Sequence, residues 1–106
     1  MDQWREQSKQ TLRHLSAARF YLPVTLKGGD KFAVEEMYLD YLHNREYELA
    51  LDELVEFGIE NEGFAEEALF WRELELAAAQ MGLTDRATDF HRRASEASGN
   101  MSSRGD

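Results

Sequence analysis

A chain of 106 residues is the size of one domain, and 42% hydrophobic and 11% aromatic residues with a single proline exclude a disordered polymer. The absence of cysteine excludes disulfides, thiol nucleophiles and zinc–thiolate sites, and suits a reducing cytoplasm. A formal charge of -9, from 21 acidic against 12 basic residues, repels phosphate backbones and anionic lipid heads, so a cationic partner is expected in place of nucleic acid or membrane.

From Asp2 to Leu22, Trp4, Thr11, Leu12, Leu15, Ala18 and Leu22 recur at helical spacing and predict a first helix with one apolar stripe. The start of the chain is polar and has no apolar run behind a basic end, and no later stretch reaches membrane-spanning length. A cytoplasmic chain without export signal is therefore expected. Pro23 ends the first helix, because the residue before proline avoids helical backbone angles. Residues 24–29 read as a loop, and Asp30 is placed to cap a second helix over Lys31–His43.

Asn44 is the expected cap of a third helix from Arg45 to Asn61, with Gly63 supplying the left-handed residue that stops it. A fourth helix covers Phe64–Met81, its positive end stabilised by Glu66 and Glu67. Gly82 ends that helix, Leu83 folds back on its last turn, and Thr84 caps a fifth helix over Asp85–Ala97. No segment alternates like a strand and the loops are short. The expected fold is thus all-α, a compact antiparallel bundle of about five helices. Residues 1–97 form one helical domain, and residues 98–106, small and polar, a flexible tail.

Charge is unevenly distributed. Between Glu35 and Glu75 stand 14 acidic residues and two basic ones, Arg45 and Arg72, so this segment carries -12 while the remaining seven acidic and ten basic residues sum to +3. On the third helix Tyr47, Ala50, Leu51, Leu54 and Gly58 line one side, which meets the core, while Glu48, Asp52, Glu53, Glu56 and Glu60 form an arc on the other. Leu49 and Ile59 lie within or beside that arc. Apolar anchors inside a charged rim are the composition of a protein interface. Arg5, Lys9 and Arg13 make a smaller basic stripe on the first helix, expected to be paired internally or solvated.

Nothing in the sequence converges on catalysis. His14, His43 and His91 fall on three different helices, and Asp40 and His43 lack the paired Glu-x-x-His units of a di-iron bundle. Gly28 and Gly29 lack the lysine and the preceding strand of a phosphate loop. The neighbours Glu35 and Glu36, and Glu66 and Glu67, point in diverging directions on a helix and cannot flank a substrate. No enzyme, no cofactor and no metal is expected, and Trp71, Phe70 and Phe90 are assigned to packing.

From Glu46 to Leu83 the run Glu-Tyr-Glu-Leu-Ala-Leu-Asp-Glu-Leu, an acidic helix end, and a second helix closing on Ala-Gln-Met-Gly-Leu resemble the small helical immunity proteins of bacterial polymorphic toxin systems. Among these, the pattern is similar to that of the Maf-type and contact-dependent growth-inhibition immunity proteins. The resemblance covers about 38 of the 106 residues and involves no catalytic signature. It implies a protein made beside a toxin, which binds the toxin's C-terminal domain, a basic domain and often a nuclease. Carried onto this chain, it assigns partner contact to Glu46, Glu48, Asp52, Glu53 and Glu56, to which the helical arc adds Leu49, Ile59 and Glu60. Tyr47, Leu51, Leu54 and Met81 are left to hold the helix pair together. The alternative is a helical adaptor or secretion chaperone that cradles a peptide segment. Tyr47 to Leu51 resembles one fragment of a tetratricopeptide repeat, whose other half is missing at the repeat's offset.

Overall fold

The computed structural model describes residues 2–22 and 39–103, with side chains described over 6–22 and 39–99. It is all-α: α1 is Asp2–Tyr21, a helical stretch occupies residues 39–43, α2 is Tyr47–Glu60, α3 is Glu67–Gln80 and α4 is Thr84–Ser103. No strand occurs among the described residues. The expected loop at 24–29, the Asp30 cap, the start of the second helix and residues 104–106 lie outside the described residues.

Helix α3 is the centre of the fold, packed most extensively against α4 and α1, with α2 touching both α1 and α3. The pairing is antiparallel. Gln7 of α1 donates to the Gln80 carbonyl at the far end of α3, and His14, two turns later, meets Glu73, two turns earlier. Likewise Glu75 of α3 meets His91 of α4, while Trp71, one turn earlier in α3, lies under the Arg93 guanidinium, 5.1 Å from the ring centroid.

The core runs through Leu15, Leu51, Leu54, Phe70, Trp71, Leu74 and Phe90, none more than 2% exposed. Burying such side chains stabilises by roughly 1.5–3 kcal/mol each. Phe64, Phe70, Trp71 and Phe90 form a continuous aromatic row, with centroids 5.5, 4.9 and 5.9 Å apart along it. On α1 the buried stripe is Thr11, Leu15, Ala18 and Leu22. Leu12, expected in that stripe, is 38% exposed, because one residue past Thr11 turns it about 100° off the line that faces α3.

Glycine determines how α2 approaches α3. A Cβ at Gly58 would lie 2.4 Å from Phe70 Cε2 and 3.0 Å from Trp71 Cη2, so only hydrogen fits where the backbone of α2 crosses the two rings.

The helix ends follow main-chain hydrogen bonding more closely than side-chain capping. Residues 39–43 close with Glu46 N–H donating to the Tyr41 carbonyl at 2.8 Å and Arg45 N–H to that of Leu42 at 3.1 Å. This reciprocal pair places Arg45 in the left-handed region, at φ 60°. Asn44 therefore does not cap α2, as expected from its type; its amide instead donates backwards to the Asp40 carbonyl at 3.0 Å. The helix starts two residues after the predicted Arg45, with Glu46 at its cap position and no side-chain capping bond.

The same motif ends α3, where Gly82, at φ 74°, donates to Ala79 O at 3.1 Å and Leu83 to Ala78 O at 2.9 Å. Leu83 folds back onto the core as expected. Its carbonyl accepts the Ala87 N–H, so Thr84 is the first helical residue of α4 and not its cap. Gly63 has the left-handed backbone expected of it, at φ 92°. At the start of α3, Glu67 accepts hydrogen bonds from Gly63 N–H at 2.9 Å and from the Trp71 indole at 3.0 Å, whereas Glu66 makes no side-chain capping bond.

One boundary departs further from expectation. Helix α4 does not end at Ala97 but continues to Ser103 through the small polar residues read as a tail. No proline interrupts them, and extending an existing helix adds one hydrogen bond for each residue fixed, a far smaller cost than starting one.

Candidate protein-binding face

The face is built by α2. Ala50, Leu51, Leu54, Phe57 and Gly58 are buried, which rotates the opposite side of the helix outwards. At 100° per residue Glu48, Ile59, Asp52, Glu56, Leu49, Glu60 and Glu53 follow one another around an arc of about 140°. Leu49 lies inside it, with Glu53, Glu56 and Glu60 one to three turns along the same line. Leu49 is 45% and Ile59 44% exposed. Glu48, Asp52, Glu56 and Glu60 are exposed and Glu53 is half-buried. Glu46, just before the helix, is exposed as well. The structure therefore gathers seven of the eight residues assigned to partner contact on one helix face and leaves Glu46 at its N-terminal edge.

Five carboxylates on this helix have no basic residue within α2. Asp52 is paired by Arg86 of α4, whose guanidinium lies 5.5 Å from the Phe90 ring centroid. Among the described residues, no ion pair or hydrogen bond involves the side chain of Glu46, Glu48, Glu53, Glu56 or Glu60. Glu53 registers the crowding: partial burial first, then the charges of Glu56 and Asp52, hold its pKa above the ordinary glutamate value.

Several other charged groups are paired away from this face. His14 approaches Glu73 at 3.3 Å and His91 approaches Glu75 at 3.2 Å, so two histidines pair separately with carboxylates of α3, on its α1 and α4 sides. His43 is exposed. Asp89 is held below its ordinary pKa chiefly by its hydrogen bond from Arg92, with burial opposing and a hydrogen bond from Arg93 adding to the lowering. Lys9 and Arg13, from the basic stripe of α1, are exposed and solvated. Among the described residues no three His, Asp or Glu side chains are grouped to hold a metal, and no helix is long and apolar enough to cross a membrane.

The cavities are shallow. One of about 180 Å³ lies beside Trp71, walled by Glu62, Glu67, Arg93 and Ala97, and is smaller than the several hundred Å³ usual for an organic ligand. An open groove of about 480 Å³ runs between α3 and α4 over Leu69, Ala94, Ser95 and Ser98.

The cross-helix pairs Arg86–Asp52, His14–Glu73 and His91–Glu75 are absent from the sequence reading. They join residues 34, 59 and 16 positions apart, and no local spacing rule links such positions. Their only sequence signal is the general excess of carboxylates on α2 and α3. Comparison with family models, with curated proteins and with solved structures gives no match to this chain.

Proposed function

We propose that this chain is an immunity protein that binds a cognate cationic toxin domain, a nuclease in the reading favoured here, and occludes it with the acidic face of α2. The observation that carries the reading is the exposed Leu49 set among carboxylates that have almost no cation of their own. Like charges three and four apart on a helix cost a few tenths of a kcal/mol per pair, roughly 0.2–0.5, and a covering positive surface relieves that repulsion. Leu49 and Ile59 supply apolar contact inside the rim. A nuclease has a basic cleft for its polyanionic substrate; an acidic surface competes for that cleft and accelerates encounter by long-range attraction.

The test is co-expression with the C-terminal domain of the secreted toxin encoded beside this chain. The expected result is restored growth and a stable complex on size-exclusion chromatography; continued killing with no complex would overturn the proposal.

A second reading, an adaptor for a peptide segment, draws on the open groove between α3 and α4, where Leu69 is 50% exposed. A partner that binds as an isolated segment and is released by Leu69→Glu, with the α2 face intact, would favour it.

A further inference from the structure

The carboxylates of α2 are not equivalent. We infer that Arg86 occupies Asp52 and so withholds its carboxylate from pairing with a partner, leaving Glu48, Glu53, Glu56 and Glu60 around Leu49 as the effective surface. This inference rests on the reading of α2 as a docking face for a cationic protein. Arg86 comes from a different helix, its guanidinium pairs with the Asp52 carboxylate, and it lies over the Phe90 ring, 5.5 Å from the centroid. Phe90 is 2% exposed and fixed in the aromatic row, so the guanidinium that pairs with the carboxylate also lies over a rigid ring.

The Arg86 side chain is itself only about one-third exposed, at 32%. An arginine restrained in this way loses less freedom on pairing than a cation arriving from solution, because its planar fork is already oriented. A partner's lysine or arginine that approached Asp52 would have to displace it, whereas Glu48, Glu53, Glu56 and Glu60 present no such competitor among the described residues. With Arg86 paired to Asp52, that side of the face is close to neutral, so cations are drawn towards Glu53, Glu56 and Glu60.

The consequence is a measurable coupling between two residues. Octalysine serves as the cationic probe, its affinity measured by titration calorimetry at low ionic strength. Glu56→Gln weakens binding by about threefold, the size expected for one exposed ion pair, and Asp52→Asn in the otherwise native chain by less than about 1.5-fold. In the Arg86→Met background, where methionine still covers Phe90, Asp52→Asn weakens binding by about threefold, because the unmasked carboxylate now counts. Arg86→Gln gives the same result without the apolar cover, and circular dichroism melts check that both variants are folded.

An Asp52→Asn effect equal to that of Glu56→Gln in the native chain, unchanged by removing Arg86, would overturn the masking while leaving the docking face in place. Loss of all dependence on Glu53, Glu56 and Asp52 would overturn the docking reading itself, and the masking with it.

Discussion

Glu53 shows how local environment reads the charge of its neighbours. Partial burial, Glu56 and Asp52 all favour its protonated form, so its pKa in the folded chain lies above the unfolded value. The linkage follows: protonation of Glu53 favours the fold fully below the unfolded pKa, and this contribution disappears as pH rises through the folded one. At neutral pH the ionised side chain is a small burden on stability. Glu53→Gln is therefore expected to raise the melting temperature at pH 7, by about 1–4 °C if relieving the repulsion contributes a few tenths of a kcal/mol. The gain should vanish on acidification below the ordinary glutamate pKa. Melts of both proteins across pH 3–8 check this; a gain that persisted at low pH would point to packing and not to charge.

At the scale of the helices, the position of the acidic face is determined by what α2 buries on its other side. The alternation of Ala50, Leu51, Leu54 and Gly58 with carboxylates is visible in the sequence and these four are buried, whereas Phe57 joins them unforeseen and Tyr47 and Glu53 lie half-buried at the borders. Gly58 decides the depth of the crossing. Gly58→Ala gains roughly 1 kcal/mol of helix propensity. It also drives a methyl group into the rings of Phe70 and Trp71, 0% and 1% exposed, which have no room to withdraw. Overpacking of this kind costs about 1–3 kcal/mol or more. The expected net result is a loss of up to about 2 kcal/mol in chemical denaturation. A stabilised variant would show that α2 can lift away from α3 without cost.

Element ends were less legible than element faces. Side-chain type suggests Asn44 and Thr84 as caps, yet each helix end is set by carbonyls and amides paired across a left-handed residue, Arg45 in one case and Gly82 in the other. The glycine announces such a turn in sequence; an arginine in the same conformation does not. The extension of α4 through Ser98 to Ser103 has the same origin, since residue propensity is a weak guide once a helix has a packed turn to extend from.

For the whole molecule, the uneven charge of the sequence becomes a directional property of the fold. The bundle places α3 between α1 and α4 and gives its Glu73 and Glu75 histidine partners on those neighbours. The acidity of α2 faces outwards, with Asp52 alone met by a cation among the described residues. The all-helical architecture and the shared face of Glu48, Leu49, Asp52, Glu53, Glu56, Ile59 and Glu60 are readable from periodicity, because both depend on spacing within one helix. The Arg86–Asp52 pair, which divides that face, depends on how α4 returns past α3 and is invisible before the chain is folded.

The account stands on the outward negative charge of α2 being the surface that meets a positively charged folded partner. Its most direct test is the association rate of the purified chain with the toxin domain proposed as its partner, measured by stopped flow across ionic strength. The native chain and one with Glu48, Glu53, Glu56 and Glu60 changed to lysine are compared. The account predicts a rate that falls at least about tenfold from low to high salt in the native chain, and no detectable complex after charge reversal. A rate indifferent to salt, together with full binding by the reversed chain, would contradict it.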